Sequence, residues 1–166
     1  RDWSVTGVQT CALPIYLALN EAVIARGKLS RLIKVACRVD GEHVARYHAD
    51  GIIVSTPTGS TAHSLSAGGP VVEPDIDAFI ITPICPHTLA LRPLVVSARR
   101  SIELEVIDAS EEAGASLDGQ AFTPLAEGDR LTIAAFPHRC ILLGGKEPGF
   151  YTSLRAKLLW GGHVES

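Results

Sequence analysis

Short segments in which apolar and polar residues alternate, separated by tight-turn sequences, constrain the fold of this chain most strongly. Ile33–Val39, Ile102–Val106 and Leu131–Ala135 alternate with a period of two, which predicts half-buried strands. Asp40-Gly41 and Asp118-Gly119 are hairpin sequences, because both residues tolerate the positive φ angles that such turns require. Strands at roughly 8–12-residue spacing with turns between them predict a mainly β, all-β sandwich-like domain.

Shorter patterns add further strands and turns to this domain. Val44, Arg46 and His48 are predicted on one face of the strand that follows Asp40-Gly41. Three prolines predict that the stretch after Ile81 is mostly loop with edge-like pieces. The remaining predicted elements are strands at Leu17–Ile24, Ile52–Ser55, Ala78–Ile81, Ala115–Leu117, Gln120–Phe122 and Cys140–Leu143, and a polar turn at Glu111–Gly114.

The run from Asp50 to Pro70 holds a buried-looking strand, a loop of hydroxyl residues and glycine, and a short helix that Gly68 and Gly69 end. Backbone N–H groups at the start of a helix have no intrahelical partner and attract phosphates and polar sugar edges. The run therefore fits a nucleotide site, although a P-loop would need a lysine that is absent here. A strand–loop–helix corner that only begins a helix fits the same residues.

The two ends of the chain differ from this β-rich centre. Phe150, Leu154 and Leu158 recur at every fourth position and predict a C-terminal amphipathic helix. Residues 1–15 show no period and resemble the translation of a sequencing adapter, and methionine is absent, so we expect a piece of a longer reading frame. The expected divisions are a non-native leader over 1–16, a β-rich domain over 17–145, and a helix and tail over 146–166.

Charge and cysteine patterns disfavour several function classes. The 166 residues carry 15 basic and 18 acidic side chains, a net charge of −3, and no basic stripe, which disfavours nucleic-acid binding. The apolar runs are too short for a membrane span. Four cysteines and six histidines are scattered without metal-ligand spacing, which predicts free thiols, a reducing cytoplasmic location and no metal site.

Five blocks, in their order and spacing, resemble the bacterial NAD kinase family. The resemblance runs from about Leu17 to Trp160 and covers the C-terminal half of that family. The long block with Thr-Pro-Thr-Gly-Ser-Thr-Ala is specific, whereas Asn-Glu or Asp-Gly-Gln alone would carry little weight. The blocks are Asn20-Glu21, Ala49-Asp50-Gly51, Thr56–Pro70, Pro86–Leu89 with Arg92–Leu94, and Asp118-Gly119-Gln120.

The resemblance implies a two-domain kinase that moves the γ-phosphoryl group of ATP to the 2′-hydroxyl of the adenosine ribose of NAD, with Mg²⁺ as the expected divalent metal ion. In this family a Gly-Gly-Asp-Gly-Thr motif in an α/β first domain carries the presumed general base, and no such motif occurs here. We therefore expect no catalytic residue in this chain, inactivity of the chain alone, and a C-terminal helix that packs on the first domain. The whole protein is expected to form a dimer or tetramer.

The resemblance assigns NAD-binding roles by position. Asn20 and Glu21 match the pair that contacts adenine and the ribose hydroxyls, and Asp50 matches the aspartate that binds the nicotinamide carboxamide. Both carboxylates are expected beside the same corner between strand and helix. His63 replaces a tyrosine that is common in the family, which weakens stacking on adenine. The other matched residues are Arg31, His48, Thr61, Ala62, Ser64, Leu65, Ser66 and Gln120.

Two other function classes stay open. A lipid kinase of the diacylglycerol or sphingosine type shares the fold superfamily, but a lipid site would favour an apolar groove over the polar residues of Asn20-Glu21 and Thr56–Pro70. A non-catalytic β-rich binding module also fits, and a rise in melting temperature with NAD would argue against it.

Overall fold

The computed structural model describes residues 2–5, 15–27, 32–88, 90–108, 113–138, 140 and 149–158. Within these ranges twelve strands form two six-stranded sheets, which confirms the mainly β, sandwich-like prediction. The strands are β1 (Asp2–Val5), β2 (Ile15–Tyr16), β3 (Glu21–Arg26), β4 (Ile33–Val39), β5 (Glu42–Ala49), β6 (Gly51–Ser55), β7 (Ala78–Ile84), β8 (Leu94–Ser97), β9 (Ile102–Asp108), β10 (Ala113–Leu117), β11 (Gln120–Leu125) and β12 (Arg130–Ile133).

The strand order is β2-β1-β12-β9-β4-β5 in sheet A and β11-β10-β3-β6-β7-β8 in sheet B. A 3₁₀ turn at Thr58–Thr61 and a one-turn helix, α1 (His63–Ser66), follow β6, as the sequence predicts. Helix α2 (Phe150–Leu158) comes near the end of the chain. Among the described helices none is long and apolar enough to cross a membrane.

The core lies between the facing sides of the two sheets. Ile24, Ile52 and Ile81 of sheet B and Leu104 and Val106 of sheet A are fully buried there. Complete burial of an aliphatic side chain of this size contributes about 1.5–3 kcal/mol. This face of sheet B therefore fixes the positions of β3 and β6, which carry the candidate site.

The centre of sheet B, at β3, β6 and β7, is buried on its other face as well, where segment 56–77 covers it. The Ser64 hydroxyl is 2.9 Å from the Thr82 hydroxyl of β7, and both side chains are fully buried. Val23 and Ile53 on the same outer face are almost completely enclosed. Two-sided burial explains why β6 shows an unbroken apolar run rather than alternation.

The outer face of sheet A is instead polar, which explains the alternation in its strands. Arg38 of β4 contacts Glu103 and Glu105 of β9 at 3.0 and 2.6 Å, and Arg130 of β12 reaches Glu105 at 3.4 Å. These charges alternate with core residues along each strand. The period-two predictions for Ile33–Val39 and Ile102–Val106 are therefore confirmed.

The predicted hairpin turns are confirmed by their backbone angles. Asp40 and Gly41 have φ of 50° and 80°, and Asp118 and Gly119 have φ of 49° and 69°. Each pair joins two antiparallel strands, β4 with β5 and β10 with β11. The positive φ values satisfy the geometry that these two-residue turns demand.

Several predicted boundaries are wrong. The strand placed at Leu17–Ile24 begins only at Glu21, and Gly114 lies inside β10 rather than in a polar turn. Pro83 pairs with Ile52 within β7, because β8 pairs only with residues up to Ile81 and leaves no ladder bond for Pro83 to break.

Strands β1 and β2 near the start of the chain were not indicated by periodicity, whereas helix α2 confirms the predicted C-terminal helix. Asp2–Val5 pairs in parallel with β12, and Ile15–Tyr16 pairs with β1. Helix α2 has no buried residue, although Phe150 and Leu154 are half-buried, so its apolar side is not enclosed by the described residues. The predicted final strand at Cys140–Leu143 falls outside the described ranges, apart from Cys140.

The thiols that the structure describes are free, as predicted. Cys85 and Cys140 are exposed, whereas Cys37 is buried between the sheets. Burial raises the pKa of the Cys37 thiol to about 11, which keeps it protonated at neutral pH.

Truncation of a fully buried residue of sheet B should destabilise the domain. We expect Ile81→Ala to lower the free energy of unfolding by about 2–5 kcal/mol, since it removes buried methyl groups and leaves a cavity. Val95→Ala on edge strand β8 is the matched control, because Val95 is 48% exposed and should change stability by about 0.5 kcal/mol or less. Urea denaturation measures both, and equal losses would contradict the assigned core.

Candidate functional site

The carboxylate of Asp118 organises the start of β3. Its oxygens accept backbone N–H groups from Leu19, Asn20 and Glu21 at 2.7, 2.8 and 2.9 Å. The Asp118 backbone N–H returns a bond of 3.0 Å to the Glu21 carbonyl oxygen. Hydrogen bonds to a charged acceptor contribute about 1.5–3 kcal/mol each, so the β10–β11 turn fixes the backbone of the Asn20-Glu21 pair.

Segment 56–77 holds the same backbone from the other side. Thr56 donates its N–H to the Asn20 carbonyl at 2.8 Å and its hydroxyl to the Leu19 carbonyl at 2.7 Å. Gly59 lies directly against Asn20, where an added Cβ would collide with the Asn20 carbonyl group. Only glycine allows the loop to approach the strand this closely.

Glu21 is a buried acid at the centre of this arrangement. Its side chain is 7% exposed, and its Oε2 atom has no hydrogen-bond partner among the described residues. Burial raises the pKa of Glu21 above its usual value, the charge of Asp118 raises it further, and His63 of α1 acts in the opposite direction. A buried acceptor without a partner is costly, which makes Glu21 a candidate for contact with a ligand.

Most hydroxyls of the loop fold the loop itself. The Thr56 hydroxyl accepts the Gly59 N–H, and the Ser60 hydroxyl donates to the Pro57 and Val72 carbonyls. The Ser64 hydroxyl is bonded to Thr82, facing the sheet. The abundance of Ser and Thr here therefore has a structural reason that the sequence does not reveal.

Within 61–66 the side chains divide into exposed and enclosed positions. Thr61, His63 and Ser66 are exposed, whereas Ala62 and Leu65 are half-buried. Helix α1 has only one turn and no side-chain cap. The exposed side chains form a polar surface on this part of the chain, beside which Glu21 is almost completely buried.

Asp50 and His48 lie in a second group at the opposite end of β6. Asp50 forms an ion pair of 2.8 Å with Arg26, and the His48 ring is 5.6 Å from the His87 ring. Glu21 pairs with Ser55, whereas the Arg26 N–H bonds the Asp50 carbonyl. The two acidic positions are therefore roughly 17 Å apart, at about 3.3 Å per residue along β3.

This separation corrects the expectation that the Glu21 and Asp50 carboxylates flank one corner. The β3–β6 register places them at opposite ends of the same ladder, a distance that sequence spacing does not give. The structure brings together Asn20, Glu21 and His63, and it groups His48 with Asp50 elsewhere. Arg31 lies outside the described residues.

Gln120 is exposed beside the Asp118 turn, where it borders a cavity of about 170 Å³. Apolar residues such as Leu117 and Leu131 form much of the cavity wall, and Glu21 is not part of it. The cavity therefore borders the Asp118 turn and does not include the Glu21 side chain.

The described residues do not fit a metal centre of their own. No group of three or more His, Cys, Asp or Glu side chains within them is arranged to hold an ion. The oxygens of Asp118 are already bonded to three backbone N–H groups, and Asp50 is paired with Arg26. Metal ligation therefore cannot be assigned to these carboxylates.

Sequence reasoning missed two residues that hold the site together, Asp118 and Thr56. Asp118 was interpreted through its turn, and its partners lie 97–99 positions away along the chain. Thr56 reaches Leu19 across 37 positions. An aspartate before glycine indicates a turn, but nothing in the sequence indicates which remote N–H groups its carboxylate accepts.

Comparison with known proteins gives the same family along most of the chain. The ATP-NAD kinase C-terminal domain family matches residues 19–142. The chain is 47% identical over 149 residues to the NAD kinase of Symbiobacterium thermophilum, covering 89% of this chain and 52% of that protein. It is 44% identical over 142 residues to that of Desulforamulus reducens, covering 86% and 49%. The chain spans about half the length of these curated relatives.

Solved structures agree with this assignment. A yeast NADH kinase complexed with NADH is similar with a TM-score of 0.72 and 30% identity, over 89% of this chain and 43% of that one. An NAD kinase from Archaeoglobus fulgidus in complex with ATP is similar with a TM-score of 0.63 and 43% identity, over 69% and 44%.

Removal of the Asp118 charge should loosen the start of β3. We expect Asp118→Asn to lower the free energy of unfolding by about 1–3 kcal/mol, because an amide has one acceptor oxygen for three N–H groups. Hydrogen exchange at residues 19–21 should accelerate in the same variant. Asp75→Asn at an exposed position is the control. Unchanged protection of residues 19–21 from exchange in Asp118→Asn would contradict the role of Asp118 in holding the start of β3.

Proposed function

The chain belongs to the NAD kinase family, and on that premise we propose that it is the NAD-binding half of an enzyme that phosphorylates the 2′-hydroxyl of the adenosine ribose of NAD. The observation that carries the proposal is the Glu21 carboxylate, buried yet with one oxygen unpartnered among the described residues. A carboxylate has two oxygens with about four acceptor sites, so it can accept ribose hydroxyl hydrogens in addition to a bond from the protein. The named relatives with bound ATP and NADH support nucleotides as ligands.

The rigid backbone around Asn20-Glu21 supports the positioning role. Asp118 and Thr56 hold this pair from two sides, so its side chains extend from a fixed base. Asn20 supplies an amide that both donates to and accepts from an adenine edge. His63 supplies an aromatic face on the exposed side of α1 for stacking on the base. Such preorganisation lowers the entropy cost of placing the ribose hydroxyl for attack.

Asp50 and His48 take part in a second half-site under this proposal. Their distance from Glu21 suits contact with the nicotinamide end of a dinucleotide held by a neighbouring copy of the chain. The Asp50 carboxylate accepts a carboxamide N–H, and its Arg26 partner is 34% exposed, so this group is open to a ligand. We propose a cytoplasmic homo-oligomer, dimer or tetramer, for the whole protein.

The phosphoryl donor is held mainly outside this chain under the same proposal. Transfer from ATP needs charge neutralisation on the phosphates and a base that orients the 2′-hydroxyl, and Mg²⁺ supplies the neutralisation when bound. The described residues fit neither role, since they contain no metal cluster and Glu21 serves the ribose. Helix α2 is proposed to contact the other half of the enzyme, because its half-buried Phe150 and Leu154 form an apolar side.

Conversion of Glu21 to an amide should change how the stability of the domain depends on pH. Because the folded-state pKa is raised, the contribution of Glu21 to stability is fully present below about pH 4.5 and is lost as the pH rises through the folded value. Glu21→Gln cannot ionise, so its free energy of unfolding should fall less than that of the wild type between pH 4.5 and neutrality. Denaturation at a series of pH values measures this difference.

The same variant should bind NAD about tenfold or more weakly, because it loses a charged acceptor for ribose hydroxyls. Isothermal titration calorimetry measures the affinity, and Glu42→Gln on the exposed side of β5 is the control. Equal NAD affinity in Glu21→Gln and wild type would contradict the proposed role of the Glu21 carboxylate in NAD binding. A melting-temperature rise with diacylglycerol micelles and none with NAD would favour the lipid-kinase class instead.

The 166-residue chain alone should form no NADP. Loss of a general base costs about 10²–10⁴-fold, and the triphosphate loop expected from the family is not in this sequence. Incubation with NAD, ATP and Mg²⁺, followed by detection with an NADP-specific dehydrogenase, tests this expectation. The complete NAD kinase of Symbiobacterium thermophilum is the positive control. NADP production by the chain itself would contradict the proposal that the phosphoryl donor and the general base are held outside it.

A further inference from the structure

Glu21 and Ser55 face each other as direct cross-strand partners of β3 and β6. Their side chains are 7% and 0% exposed. Glu21 Oε2 and Ser55 Oγ are also the two buried side-chain oxygen atoms that lack a hydrogen-bond partner within the described residues. Directly opposite residues project to the same face with Cβ atoms about 4.5–5.5 Å apart, so the two unpartnered oxygens belong to adjacent side chains.

The residues that flank this pair provide few other hydrogen-bond partners for the two oxygens. The Asp118 carboxylate accepts three backbone N–H groups and carries no proton to donate while ionised. On the other side of Ser55, the cross-strand residue is Ile80, which is fully buried and apolar. Leaving a polar atom unpaired in such a place costs about 1–3 kcal/mol.

We propose that Ser55 is a positioning residue for Glu21, whose hydroxyl turns about its χ1 bond to bond Glu21 Oε2 and fixes the carboxyl group for its ligand. A serine hydroxyl both donates and accepts, so it serves either protonation state of the acid. It accepts the proton of a neutral Glu21, and it donates its own hydrogen when Glu21 is ionised. Ser55 stabilises the ionised form more than the neutral form, because a hydrogen bond to a charged acceptor is stronger than one between neutral groups. The ionised form is the one that accepts ribose hydroxyls. That last step rests on the proposed function.

The charged and titratable groups that face Glu21 are Asp118 from the β10–β11 turn and His63 from α1. Asp118 opposes ionisation of Glu21, together with burial, and His63 favours it. Ser55 adds a neutral donor from β6, which is a different element from those that carry Asp118 and His63. Its effect should therefore be separable from theirs by mutation.

The experiment is a titration of the Glu21 carboxyl group by carbon-13 NMR in the ligand-free 166-residue chain. Ser55→Ala should raise the pKa of Glu21 by about one pH unit, because it removes a donor to the charged form. Ser55→Cys keeps the volume with a weaker donor and should give a smaller rise. Thr82→Val is the control, a buried hydroxyl of the same sheet that bonds Ser64 instead and should leave the Glu21 titration unchanged.

A Glu21 titration in Ser55→Ala that matches the wild type would overturn the proposal, as would an equal rise in Thr82→Val. If Ser55→Ala does not fold, Ser55→Cys decides by the same comparison. Calorimetry with NAD adds a second arm, in which Ser55→Ala should bind NAD more weakly than the wild type at those pH values where the titration shows a smaller ionised fraction of Glu21. Absence of NAD binding in the wild type would refute the proposed ligand, while the titration still decides the role of Ser55.

Discussion

Three backbone N–H groups that converge on one carboxylate, that of Asp118, hold the beginning of β3 in place. The site depends on this contact, because it fixes the backbone of Asn20 and Glu21 from the side of β10. The turn that carries Asp118 closes the β10–β11 hairpin, and β10 pairs with β3 along its length. Ladder and carboxylate therefore set the same register twice, once through strand pairing and once through a charged acceptor.

Burial of sheet B on both faces gives this arrangement its rigidity and also its chemistry. One face packs on sheet A, and segment 56–77 covers the other through contacts such as Ser64 with Thr82. Water is excluded from both sides, which strengthens each charged hydrogen bond and raises the cost of an unpaired one. Glu21 lies on the outer face of this sheet and is 7% exposed, whereas His63, whose charge acts on it, is exposed.

The sequence predicted the fold class and several strands because local rules act there. Ile33–Val39 alternates since one face meets the core and the other meets solvent, and Asp40-Gly41 matches its turn. Prediction failed where tertiary context decides: Pro83 joins a strand because no neighbour needs its missing N–H. The site blocks were identified by resemblance, but the roles of Asp118 and Thr56, and the distance between Glu21 and Asp50, depend on remote pairing that periodicity does not encode.

The missing side chain at Gly59 has a dynamic consequence. Loop and strand touch there backbone to backbone, with no side chain between them to change rotamer and absorb a displacement. Thr56 bonds the same stretch, so the first turn after β6 and the first residues of β3 must shift as one body. A molecule that pushes on the loop would displace the strand by a comparable amount, and the loop cannot act as an independent flap.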